Sequence, residues 1–204
     1  MANLADSPHF DTHDDYYTPK SAWENIEHFL EAKFSKENTN LFECFSKNSN
    51  EQSINNLRDM GWKVIGSKKF DFITNEGKEF LNLDSPGDQD LLNLPPNTVV
   101  ISNPPYQRIK SYKQRHSNLK YKCFKKLLEY DIPFVILINQ THIFQKWSQE
   151  LLKGKDIKFI FPSYKINYDK YKEGGVEKID MGKGTPSYNT VYMTYKVLDK
   201  NEFI

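Results

Sequence analysis

The sequence predicts an open, doubly wound α/β sheet, and three observations carry that expectation. Strand-length runs rich in β-branched and aromatic residues alternate with segments of helical period along most of the chain. Two of the runs, 98–102 (Thr-Val-Val-Ile-Ser) and 134–138 (Phe-Val-Ile-Leu-Ile), are nearly continuous in apolar or β-branched residues, the pattern of strands buried on both faces of a parallel sheet. Finally, 204 residues suffice for one central sheet covered by helices on both sides, whereas a second full domain would be crowded.

Taken in order, residues 1–15 are polar without an apolar period and read as a flexible tail ahead of a single domain spanning 16–204. His9, Asp11, His13, Asp14 and Asp15 fall in that tail, where nothing holds ligands in a fixed polyhedron, so no metal site is expected. Thr18 suits a helix cap and Pro19 the first helical position, ahead of an apolar stripe of Ala22, Trp23, Ile26, Phe29 and Leu30. A strand-like run from Leu41 to Phe45 follows, then a helical segment with Ile54 and Leu57 that ends at Gly61, then a second strand from Trp62 to Ile65. A short third strand is expected before Asp71 and Phe72, and 82–97 gathers Asp, Pro, Gly and Asn into a loop.

After the strand at 98–102, Phe124, Leu127 and Leu128 suggest a helix, Phe134 to Ile138 a buried strand, and Ile143, Phe144, Trp147 and Leu151 a further helix. Two late strands, Lys158 to Phe161 and Val191 to Val197, are separated by a polar stretch with Gly174, Gly175, Gly182 and Gly184 that reads as a flexible loop. No internal repeat is present.

Bulk composition excludes some classes. With 28 Lys and Arg against 27 Asp and Glu, the net charge of +1 gives no anionic partner by itself, so any such signal lies in the distribution of charge. Cys44 and Cys123 lack CxxC spacing and neighbouring His, which argues against a zinc site or a disulfide framework and for a reducing, intracellular location. No apolar run is long enough to span a bilayer, and the start of the chain lacks the pattern of a signal peptide, so a soluble protein is expected.

The chemistry concentrates where the strand at 98–102 runs directly into Asn103, Pro104, Pro105 and Tyr106. In an open α/β sheet, ligands bind at the carboxyl ends of the strands. An amide oxygen from Asn103 and a carbonyl from Pro104 can both accept hydrogen bonds from a planar amine, localising a lone pair otherwise delocalised into its ring. The two prolines fix φ and offer no competing donor, and Tyr106 can stack on a flat base. The bland alternative is a proline-rich turn.

The tetrapeptide resembles the signature of S-adenosylmethionine-dependent methyltransferases that act on the N6 amine of adenine. That resemblance implies a Rossmann-like, class I methyltransferase fold, catalytic roles for Asn103, Pro104, Pro105 and Tyr106, and S-adenosylmethionine as cofactor. It extends over much of the chain. Tyr17, Thr18, Pro19 and Lys20, within the run from Asp15, resemble the family's N-terminal cofactor motif, although a capped helix start would use the same residues. Glu43 and Phe45 match the acidic and aromatic positions of its first cofactor motif, with Ser46 to Asn50 standing where the family has glycines. Asp71 and Phe72 match the pair that holds the cofactor adenine, while 66–69 lacks the acid that usually binds the ribose. Ile132 to Leu137, Phe161 to Ser163 and Pro186 to Thr190 resemble the remaining strands, and Asn103 would also border the cofactor.

Between Gln107 and Leu128 there are eight Lys or Arg and no acid, with Tyr112, His116 and Tyr121 interleaved. Arg108, Lys110, Lys113 and Arg115 are therefore expected to face a nucleic-acid backbone, against the alternative of a solvated helix face. A duplex adenine would have to be flipped out to react. The chain leaves no room for a separate target-recognition domain, so a protein partner is a candidate source of specificity, and DNA is expected over RNA as the target. Two other readings stay open: the same tetrapeptide occurs in methyltransferases that modify a glutamine amide in proteins, and a non-catalytic methyltransferase-like subunit would account for the lost glycine turn.

Overall fold

A computed structural model describes residues 16–44, 49–66, 94–104, 119–172, 175–177 and 189–204. The elements in chain order are β1 (Tyr16–Tyr17), α1 (Lys20–Glu31), β2 (Asn40–Glu43), α2 (Ser49–Asp59), β3 (Lys63–Gly66), β4 (Thr98–Ser102), α3 (Leu119–Glu129) and β5 (Phe134–Asn139). A 3₁₀ turn (Gln140–Phe144) follows, then α4 (Lys146–Leu152), β6 (Ile157–Phe161), β7 (Asp169–Lys172), β8 (Gly175–Glu177), β9 (Thr190–Tyr195) and β10 (Glu202–Phe203).

Seven strands form one mixed, mostly parallel sheet in the order β10-β6-β9-β5-β4-β2-β3. β3, β2, β4 and β5 run parallel, while β9 is antiparallel to both β5 and β6. The α/β architecture read from the alternation of runs is therefore present.

Strand periodicity sorts the core into two layers. Leu41, Val99, Ile101, Val135 and Leu137 face the stripe of α1 (Ala22, Trp23, Ile26 and Leu30) together with Leu57 of α2. Phe42, Val100, Phe134, Ile136 and Ile138 face Cys123, Phe124, Leu127 and Leu128 of α3, with Trp147 and Leu151 of α4 packed alongside. All five residues of β4 are buried, as expected of a strand covered on both faces. Trp23 is fully buried, and its side chain alone removes enough apolar surface to contribute about 2–3 kcal/mol.

Helix ends follow local rules. Gly61 takes φ 89°, and the N–H of Trp62 returns to the carbonyl of Leu57, closing α2 at the glycine expected to end it. Asp131 does the same for α3 at φ 59°, with Ile132 N–H on the Leu127 carbonyl.

Several expectations need correction. Thr18 does not cap α1: Pro19 occupies the cap position with extended backbone and the helix starts at Lys20, because the Thr18 hydroxyl accepts a hydrogen bond from Asn103 instead. The single helix expected through Ile143 to Leu151 is a 3₁₀ turn followed by α4. The Asn139 carboxamide accepts from the Thr141 N–H at 2.9 Å and winds the tight turn, and the extended backbone of Gln145 separates the two.

The polar stretch between Phe161 and Val191 is not all loop. β7 and β8 form a hairpin, and β7 pairs antiparallel with β1 at Tyr16 to Lys170 and Tyr17 to Asp169, making a second, three-stranded sheet. The partner lies about 150 residues away, so nothing in the local pattern announces it. β10, which pairs with β6, is likewise a strand that the pattern of runs does not predict. The third strand expected before Asp71 and Phe72 lies outside the described residues. No helix among the described residues is long and apolar enough to cross a membrane.

Candidate active site

After β2 the chain crosses to β3 on one side, and the next sheet strand, β4, lies on the other side of β2. In an open α/β sheet the carboxyl ends of the strands beside such a reversal are the usual ligand position. β2 ends there in Glu43, and β4 ends in Ser102 followed by Asn103 and Pro104, all buried.

Glu43 is fully buried, and its carboxylate is engaged within the protein. Oε1 accepts from the Ser102 hydroxyl, and Oε2 accepts from the Ser53 hydroxyl at 3.3 Å. The indole N–H of Trp23 donates to Ser53 Oγ at 2.9 Å, so one buried chain joins α1, α2, β2 and β4. A buried carboxylate needs such partners to offset its lost hydration.

Asn103 is 7% exposed and its Nδ2 donates to Thr18 Oγ1 at 3.2 Å, across 85 residues of sequence. Its Oδ1 is buried and has no hydrogen-bond partner among the described residues. Leaving a buried acceptor unpaired costs about 1–3 kcal/mol. The backbone carbonyl of Thr18 accepts from Asn56 Nδ2 of α2 at 3.2 Å, which anchors the segment carrying the Thr18 hydroxyl.

The structure thus brings Thr18, Glu43, Asn103 and Pro104 to one corner of the sheet. Tyr17 lies in β1 immediately before Thr18, opposite Asp169. Pro19 and Lys20 open α1, and Lys20 forms a half-exposed surface pair with Glu24 at 3.7 Å. Phe45, Asp71, Phe72, Pro105, Tyr106, Arg108, Lys110, Lys113 and Arg115 lie outside the described residues. Four members of the basic stretch, Lys120, Lys122, Lys125 and Lys126, lie in α3; Lys125 pairs with Glu129 at 3.6 Å, and Lys126 is fully buried and so belongs to no exposed surface.

Cys44, next to Glu43, is buried beside Cys123, and both are free thiols. Burial, followed by the contact with Cys123, pushes the Cys44 thiol well above its ordinary range, which leaves it a core residue rather than a nucleophile.

Sequence reasoning missed Ser53, Asn56 and the side-chain role of Ser102. The available signal was Ser53 and Asn56 three apart in a helical segment beside Ile54 and Leu57, polar groups flanking its buried stripe. No family model, curated protein or solved structure matches the chain.

Proposed function

We propose that the protein is an S-adenosylmethionine-dependent methyltransferase acting on the N6 amine of adenine in nucleic acid, DNA in the first instance. The single observation that carries the reading is the buried, unpartnered Oδ1 of Asn103 at the tip of β4, beside the topological switch of the sheet. In sequence it is followed directly by Pro104, Pro105 and Tyr106.

A planar amine entering this corner would donate one N–H to Asn103 Oδ1 and the other to the Pro104 carbonyl. Two acceptors draw the nitrogen toward a pyramidal geometry and concentrate its lone pair on the face opposite the N–H bonds, which is what nucleophilic attack needs. A strong base is unnecessary, since the amine becomes acidic only after the new bond forms. S-adenosylmethionine, when bound, supplies the electrophilic methyl carbon.

The residues fit such a cofactor in part. Tyr17, Pro19 and Lys20 would hold one end, while Thr18, whose hydroxyl and carbonyl are engaged by Asn103 and Asn56, would act through Asn103. Asp71, Phe72 and Phe45 would hold the rest. Glu43 would contribute as the buried support of the strand tip rather than through a free carboxylate.

The engaged carboxylate of Glu43, together with the absence of glycines at 46–50, favours a second reading, a non-catalytic subunit that binds nucleic acid or supports an active partner. Incubation with S-adenosylmethionine labelled on its methyl group and unmethylated DNA, RNA or cellular protein separates the possibilities. Label on adenine N6 supports the proposal, and label on protein glutamine alone moves the substrate to protein. Failure to bind cofactor at millimolar concentration in a calorimetric titration supports the non-catalytic subunit.

A further inference from the structure

We infer that α2 braces the tip of β4, and that Asn56, acting through Thr18, is a positioning residue for the carboxamide of Asn103; what that carboxamide does rests on the methyltransferase reading. Two hydrogen-bond chains leave one side of α2. Ser53 donates to Glu43 Oε2 at 3.3 Å, and Glu43 Oε1 accepts from Ser102. Asn56 donates to the Thr18 carbonyl at 3.2 Å, and Thr18 Oγ1 accepts from Asn103 at 3.2 Å. Ser53 and Asn56 are three residues apart and therefore neighbours on the helix surface. The chains end on consecutive residues, Ser102 and Asn103.

Apart from Asn56, every side chain in the two chains is buried. Packing alone would not require this, because apolar groups of similar shape fill such a corner at no greater cost. Polar chains add direction. The terminal torsion of an asparagine is broad, so a carboxamide with no fixed partner sweeps its oxygen over a wide arc. A hydrogen bond from Nδ2 to a held hydroxyl fixes the amide plane and with it the direction of Oδ1, the one side-chain atom of these two chains that is buried without a partner. Thr18 can serve as that post only if its own peptide is held, and the Asn56 bond to its carbonyl does this. The orientation cost is then met in folding and not at each encounter with an amine.

The test uses the full-length chain with Thr18→Val, Thr18→Ser and Asn56→Ala. Three quantities are read: the methyl-transfer rate at saturating cofactor and DNA, cofactor affinity by calorimetry, and the NMR signal of the Asn103 side-chain amide, identified by its loss in Asn103→Asp. Thr18→Val and Asn56→Ala should lower the saturated rate by about tenfold or more while cofactor affinity stays within about threefold, with Thr18→Ser restoring the rate. The Asn103 amide signal should be displaced from the free-amide position and slow to exchange in the wild type and Thr18→Ser, and should revert in Thr18→Val. An unmoved Asn103 signal in Thr18→Val overturns the inference, as does a loss confined to cofactor affinity, which would make Thr18 a ligand contact. If the wild type transfers no methyl group, the functional reading fails instead, and the amide signal alone still decides whether Thr18 holds Asn103.

Discussion

Replacing Asn103 with Ala should separate activity from stability in a way that an ordinary core substitution would not. Among the described residues Nδ2 makes one hydrogen bond, to Thr18 Oγ1, and Oδ1 makes none. Removing the carboxamide loses that bond, about 1 kcal/mol, and leaves the Thr18 hydroxyl with one partner fewer. It also removes an unpaired buried acceptor whose burial costs about 1–3 kcal/mol. The two effects oppose each other, so net stability should change by no more than about 2 kcal/mol, or roughly 4–8 °C in Tm for a chain of this size. Activity should respond quite differently, because the lost oxygen is the proposed acceptor for the reacting amine. By analogy with removing one preorganised hydrogen-bonding group from an active site, the saturated transfer rate should fall by about 10²–10³-fold. Thermal unfolding followed by circular dichroism, alongside single-turnover transfer of labelled methyl groups to DNA, measures both. A loss of more than about 3 kcal/mol would refute the reasoning, since it would mean that Oδ1 carries a structural bond. Unchanged transfer would refute it from the other side.

Further outcomes follow from the same contacts. Glu43→Ala should destabilise the protein by about 2–4 kcal/mol in urea titrations, because it leaves the hydroxyls of Ser53 and Ser102 without their shared acceptor and opens a hole at the end of β2. Gly61→Ala should cost about 1–2 kcal/mol from backbone strain at φ 89° alone, since the added Cβ meets nothing closer than Lys36 Cδ at 3.7 Å. The Lys196 ammonium, then the Tyr195 hydroxyl, hold the Asp131 carboxyl below its ordinary range. Because that lowered value favours the charged form in the folded state, its stabilising effect is present above the ordinary carboxylate range and is lost as pH falls through the folded value. Asp131→Asn, which tolerates the same positive φ, should therefore flatten the acid limb of Tm against pH while leaving the slope near neutrality unchanged. Tyr192→Phe should cost about 1–2 kcal/mol by stripping the Ala22 carbonyl of a buried donor, visible as a lower urea midpoint with an unchanged slope.

Short-range patterns were enough for the main sheet. The apolar runs at 98–102 and 134–138, the stripe from Ala22 to Leu30 and the glycine at 61 each act through neighbours in sequence, and each specified its element to within a few residues. The position of Asn103 at a strand end was equally legible, because a strand that stops at two prolines must stop there.

Tertiary structure decided the rest. Thr18 satisfies every local rule for a helix cap, yet its hydroxyl goes to Asn103, a partner 85 residues away that competes for the same atom. Glu43 matches an acidic motif position in the sequence, but its bonds to Ser53 and Ser102 form only when two other elements are brought to it. The pairing of β1 with β7 depends on a polar hairpin near the far end of the chain. Periodicity determines which face of an element is apolar, but polar side chains bond whatever the fold sets beside them. That proximity exists only after the sheet has closed over α2.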